Sequence, residues 1–124
     1  MFSHIMIGAD DVSAAKTFYD AALAPLGVAP GEIDGKGRAV YATATGRLIV
    51  TKPINGEAAC GANGGTIGFL CKTPAEADAW HAAGLAHGGT ACEDPPGPRE
   101  GSPYYLAYLL DPSGNKLCAL HVLG

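Results

Sequence analysis

The feature that most constrains the fold of this chain is a similarity between its two halves. The stretch HIMIGADDVSAAKTFYDAALAPLG, which begins at His4, resembles TIGFLCKTPAEADAWHAAGLAHGG, which begins at Thr66. Three residue pairs match at the same offset of 62 residues. They are the aromatic pair Phe18 and Trp80, the leucine pair Leu23 and Leu85, and the glycine pair Gly27 and Gly89. One long, fixed offset indicates a single structural unit built twice.

Each unit reads as a strand, a helix and three further strands. Residues 2–8, FSHIMIG, alternate in the manner of a strand, and Asp10 or Asp11 can cap the helix that follows. In the second unit, Thr73 and Glu76 have the spacing of a capping box. The stretches RAVYATA and RLIVTK, and later YYLAYLLD and NKLCALHV, are typical of antiparallel hairpins.

The pattern predicts one α+β domain over residues 1–124, built from internal repeats at about 1–54 and 64–124. The one helix of a unit is expected to cover only one face of the sheet in that unit. Two paired βαβββ units are therefore expected to form one cupped, barrel-like sheet of eight strands with the helices outside. The stretches at 53–65 and 94–103 are rich in turn residues and are interpreted as loops.

Charge and hydropathy exclude several classes of function. The net charge is −4 and no basic patch occurs, so no nucleic acid partner is expected. No apolar run approaches the length of a membrane span, and the first residues lack the features of a signal peptide, so the predicted location is cytoplasmic. The four cysteines form no C-x-x-C motif and are interpreted as free thiols.

The two ends of the chain resemble the vicinal oxygen chelate superfamily, which contains glyoxalases, bleomycin-resistance proteins and extradiol dioxygenases. The resemblance rests on FSHIMIGADDVSAAKTFYDAALAPLG at the start, TIGFL and AEADAWHAAGLAHGG in the middle, and YLLDPSGNKLCALH at the end. It implies the cupped fold and a small-molecule site inside the cup. It does not select a reaction, because one fold hosts many activities.

The resemblance also implies a divalent metal in the cup, bound by residues of the first, fourth, fifth and eighth strands. His4 matches the first-strand ligand, whereas Thr66 occupies the fifth-strand position and Cys118 the position of the usual glutamate. The fourth strand, RLIVTK, offers no ligand. Catalytic zinc normally has three protein ligands, so no cofactor is expected. The alternative is a zinc or nickel ion on His4 and Cys118.

Three interpretations of Cys118 stay open: a metal ligand, a thiol activated by His4 across the cup, and a small packed side chain. Alternation from this position predicts which residues of the strand line the inner wall of the cup. Tyr108 is added because it resembles a tyrosine of the fosfomycin-resistance thiol transferases. The predicted ligand-cavity residues are His4, Met6, Thr66, Gly68, Tyr104, Tyr108, Cys118 and Leu120. No catalytic residue is assigned.

The functional hypothesis is a glyoxalase-like protein that binds a small organic ligand in its cup and has lost the usual metal ligands. One alternative is a metal-dependent lyase or isomerase of the lactoylglutathione lyase type with unusual ligands. Another is a resistance protein that sequesters a drug. The resemblance further implies a homodimer.

Overall fold

Each half of the chain folds into a strand, a helix and a set of later strands. The computed structural model describes residues 1–124. The elements of the first half are β1 (His4–Gly8), α1 (Val12–Leu23), a 3-10 turn (Ala24–Leu26), β2 (Glu32–Ile33), β3 (Ala39–Thr43) and β4 (Gly46–Thr51). Those of the second half are β5 (Ile67–Leu70), α2 (Pro74–Ala86), β6 (Thr90–Ala91), β7 (Gly97–Pro98), β8 (Tyr104–Leu110) and β9 (Lys116–Val122).

The strands form two mixed sheets and not the single eight-stranded sheet that the sequence predicted. The first has the order β1-β4-β3-β2, and the second has the order β5-β9-β8-β6 with β7 also paired to β8. β1 is parallel to β4 and β5 is parallel to β9, and all other pairs are antiparallel. β1 and β5 both lie at sheet edges and do not pair with each other. The shared strand order agrees with a duplication, which itself stays a prediction.

The additional strand β7 comes from the stretch at 94–103, which the sequence predicts to be a plain loop. Gly97 and Pro98 pair with Leu106 and Tyr105 of β8. The Arg99 guanidinium stabilises this short pairing, because its Nη1 atom donates to the carbonyl oxygen of Gly97 at 2.9 Å. The loop is therefore fixed to the second sheet.

A single hydrophobic core, and not backbone pairing, joins the two halves. It contains 18 buried residues drawn from both helices and both sheets. On α1, Phe18 and Tyr19 are fully buried, and Trp80 of α2 is buried to the same extent. Gly84 permits the helices and β8 to approach closely, because a Cβ there would overlap Leu109 and lie 3.1 Å from Phe18 Cε2.

A buried polar network ties the first half to the turn between β8 and β9. The Tyr19 hydroxyl donates to Asp111 Oδ2 at 2.6 Å, and Asn115 Nδ2 donates to the carbonyl oxygen of Gly8 at 3.0 Å. Burial, and then the charge of Asp111, raise the pKa of Tyr19, so its phenol stays protonated and remains a donor. Asp111 and Asn115 of this turn therefore connect the two halves.

The first helix is capped by Asp11, one of its two predicted candidates, and the second by the predicted Thr73. Asp11 accepts from the amide of Ala14 at 3.0 Å, and Thr73 accepts from the amide of Glu76 at 3.1 Å. The Glu76 carboxylate reaches back to the amide of Lys72 at 2.7 Å, one residue before the usual capping-box partner. No helix of this chain has the length and apolar character needed to cross a membrane.

Candidate functional site

The candidate site lies on the sheet faces that point away from the helices, which we call the inner face. Leu48 and Val50 of β4 belong to the helix-packed core, so Ile49 between them points to the inner face. On β9, Leu117 and Ala119 belong to the same core, so Cys118 points inward. Ile49 and Cys118 are 6% exposed and are the two buried hydrophobic residues outside that core.

The predicted cavity residues divide between two walls. Gly68, Cys118 and Tyr108 form one row across β5, β9 and β8 of the second sheet. Tyr104 and Leu120 occupy the same face of β8 and β9 by alternation, and Thr66 immediately precedes β5. His4 and Met6 lie on β1 of the first sheet, in register with Arg47 and Ile49. The structure thus groups the second-half residues on one wall and the first-half pair on the other.

Burial governs the chemistry of Cys118. It raises the pKa of the thiol, and this effect outweighs hydrogen bonding with Tyr108, which lowers it. The Sγ atom lies 3.6 Å from the carbonyl oxygen of Ala119. His4 is exposed, its Nδ1 lies 2.8 Å from Ser3 Oγ, and it does not contribute to the shift at Cys118. A neutral, packed thiol fits these contacts better than a thiol activated by His4.

Charged groups that no sequence pattern had singled out surround Tyr108. Lys116 Nζ lies 5.1 Å and Arg99 Cζ 6.0 Å from the centroid of its ring, within the range of cation–π contacts. Lys116 also forms an ion pair with Glu93, which has an unusual positive φ of 56°. Lys116 stands two residues before Cys118, so alternation alone could have placed it on the inner face. Arg99 approaches through a loop, and no local pattern indicated its position.

The side chains of one chain do not fit the metal that the fold family implies. No group of three or more His, Cys, Asp or Glu side chains lies close enough to hold an ion. His4 and Cys118 stand on different sheets, and the fourth strand contributes Arg47, Ile49 and Thr51 to the inner face. An arginine beside His4 is unfavourable for a cation, because like charges repel.

A cavity of about 520 Å³ lies between β1 and β5, and we call it the seam cavity. It is bounded by the start of β1, the whole of β5, the turn between β3 and β4, and the chain that follows α1. Eleven of its nineteen lining residues are hydrophobic. It shares only His4 and Gly68 with the predicted cavity residues, so most of it lies beside the predicted cup.

The fold and the sequence both match known proteins. Residues 1–119 match the family model of the Glyoxalase/Bleomycin resistance protein/Dioxygenase superfamily. A glyoxalase/bleomycin resistance protein from Albidiferax ferrireducens T118 is 51% identical, with a TM-score of 0.92 and 98% of each chain covered. A glyoxalase/bleomycin resistance protein/dioxygenase family enzyme from Burkholderia phytofirmans PsJN is 20% identical, with a TM-score of 0.75 and 98% of each chain covered.

A more distant likeness carries information about the fold alone. A lactoylglutathione lyase from Agrobacterium tumefaciens is 22% identical, with a TM-score of 0.68, and the match covers 98% of this chain and 92% of that one. No curated protein matches the sequence. The match of the family model over nearly the whole length, together with the 51% identical structure, settles the family. The chain belongs to the Glyoxalase/Bleomycin resistance protein/Dioxygenase superfamily.

Proposed function

We propose that this protein binds a small organic molecule against its inner face and does so without a resident metal ion. The observation that carries the proposal is the row of Gly68, Cys118 and Tyr108, which combines an uncovered glycine, a neutral thiol and a phenol on one face. A site of this kind is largely apolar with a few polar groups that orient the ligand.

The space beside Gly68 is open to a ligand. A Cβ added there would meet no atom within 4 Å, so the space above the strand is open. Leu120 and Leu106 form part of the next row on the same face and offer apolar contact. The Tyr108 phenol provides a hydrogen-bonding group at the side, and burial raises its pKa and keeps it protonated. A flat or compact organic molecule suits this arrangement.

We further propose that two copies of the chain associate through the open edges of the cup. Only Met6 and Leu70 lie on the edge strands β1 and β5 themselves. Together with side chains next to β1 and at the ends of β8 and β9, the large apolar residues exposed by 40–76% are Phe2, Met6, Leu70, Tyr104 and Val122. Edge strands and contiguous apolar surface are features that proteins usually cover. A second copy that covers these side chains would also enclose a ligand on the inner face.

The lyase alternative is less favoured because the chain offers too few metal ligands. The lactoylglutathione lyase of A. tumefaciens shares the fold at 22% identity, which carries no statement about activity here. A drug-sequestering role differs from our proposal only in the identity of the ligand. The chemical class of the compounds that bind therefore separates these two.

A thermal-shift screen of oxygen-rich and aromatic compounds tests the proposal. We expect at least one compound to raise the melting temperature of the wild type, and Gly68→Val and Tyr108→Leu to abolish or weaken that shift. Gly35→Val is the matched control, because Gly35 also has open space around it and lies in the turn before β3. Compounds that bind both inner-face variants as well as the wild type, or only after a divalent metal is added, would contradict the proposal.

A further inference from the structure

The seam cavity has a polar end and an apolar end. The apolar lining comes largely from side chains on the helix side of the sheets and from the chain after α1, including Leu26, Val28 and Phe69. Arg47 and His4 line the cavity from the inner face, in register on β4 and β1, and both are exposed. An occupant thus meets hydrocarbon at one end and a cation at the other.

The charge of the cavity is complementary to an anion. Its lining contains Arg47 and no carboxylate, although the chain as a whole has a net charge of −4. The three ion pairs of the chain use Lys16, Arg38 and Lys116, so the charge of Arg47 is not neutralised by a partner. A planar guanidinium with free donors suits a carboxylate, which it can bind through two parallel hydrogen bonds.

The two halves contact each other at the end of β1 and leave a space at its start. At the end of β1, the turn of the second half contacts the first half through Asn115, which donates to the carbonyl oxygen of Gly8. Gly61 also packs against Gly114 there, so closely that a Cβ would overlap. At the start of β1, the turn between β3 and β4 lines the opening without filling it. On β1 the cavity therefore borders His4 and Ile5 and not residues 6–8.

We propose that the seam cavity binds a small amphipathic carboxylic acid, with its apolar body between the sheets and its carboxylate at Arg47. The volume of about 520 Å³ lies within the range of small-molecule pockets. The site shares Gly68 with the row at Cys118 but contains neither Cys118 nor Tyr108, so substitutions at Arg47 test it separately from the function proposed above.

Isothermal titration with 1-naphthoate and octanoate tests this site, with the corresponding uncharged amides as probes of the apolar part alone. We expect Arg47→Gln to weaken binding of at least one acid about tenfold, as the loss of a charge-assisted contact implies. The amides should bind Arg47→Gln and the wild type equally. Lys36→Gln is the control, because it removes one exposed positive charge from the turn before β3 and should leave acid binding unchanged.

Amide chemical shifts locate the bound acid independently of affinity. The proposal predicts that the largest changes fall at residues 43–48 and 67–70. It is overturned if neither acid binds at millimolar concentration, if Arg47→Gln binds both acids as well as the wild type does, or if the changes fall only along β8 and β9. The last outcome would place the acid at the inner-face site and would leave the proposed function standing.

Discussion

Replacing Tyr19 by phenylalanine tests how the two halves of the molecule are held together. The substitution removes one hydroxyl and keeps the aromatic ring, which packs against Phe18 with centroids 4.9 Å apart. The lost hydrogen bond is the one from Tyr19 to Asp111 Oδ2, and both residues are buried. We therefore expect the cost to come from that bond and not from a cavity.

The magnitude follows from the surroundings of Asp111. A hydrogen bond to a charged group contributes about 1.5–3 kcal/mol. The carboxylate keeps three other bonds, from the amides of Ser113 and Asn115 and from Asn115 Nδ2. We expect Tyr19→Phe to lower the free energy of unfolding by about 2 kcal/mol, which lowers the melting temperature of a chain of this size by about 8 °C.

Urea denaturation followed by tryptophan fluorescence measures this change. Trp80 is the only tryptophan and is fully buried, so its emission reports the unfolding of the core. Tyr105→Phe is the matched control, because Tyr105 donates to Asp78 at 2.7 Å in an exposed position and should cost less than about 0.5 kcal/mol. Equal effects of the two substitutions, or a loss below about 0.5 kcal/mol at Tyr19, would refute the argument.

Three further predictions concern packing, thiol reactivity and pH. Gly84→Ala should lower the free energy of unfolding by about 1–2 kcal/mol, because the cost of overpacking exceeds the gain in helix propensity. Gly68→Ala is the control and should change the free energy of unfolding by less than about 0.5 kcal/mol in the same urea titration. Iodoacetamide at neutral pH should modify exposed Cys60 well before Cys118, measured by peptide mass spectrometry; equal rates would contradict the raised pKa of Cys118. Hydrogen bonds from backbone N–H groups of its turn hold the pKa of Asp34 at about 2, below the ordinary 3.8. The stability that Asp34 adds over Asp34→Asn should therefore be complete above that ordinary value and be lost as the pH falls through about 2. A difference at pH 2 as large as the difference at neutral pH would contradict this.

Local patterns predicted the elements of the fold well because the signals are themselves local. Asp11 and Thr73 cap the two helices as expected, since a cap depends on a few neighbouring residues. The predicted single sheet was not obtained, because β1 and β5 lie at the edges of separate sheets and do not pair. Pairing between strands so far apart in the sequence is a tertiary property that local patterns do not predict. The close contact of Gly84 with Phe18 and β8 is a tertiary feature that no period in the sequence reveals.

The candidate site was predictable where alternation operates and unpredictable where loops contribute. Alternation from Cys118 predicted Leu120 on the same face, a family likeness added Tyr108, and the same alternation could have added Lys116. The position of Arg99 depends on hydrogen bonds within its own loop, to the carbonyl oxygens of Pro95 and Gly97 among others. The seam cavity depends on how the two halves pack against each other. The similar order of elements in the two units does not reveal this packing.

Metal content measured by mass spectrometry tests the central claim most directly. The purified protein would be equilibrated with zinc, nickel, manganese and cobalt in turn, dialysed, and analysed for bound metal per chain. A cup that functions without a resident ion predicts far less than one ion per chain for each of the four metals. One tightly held ion per chain, lost in both His4→Ala and Cys118→Ala, would contradict the account.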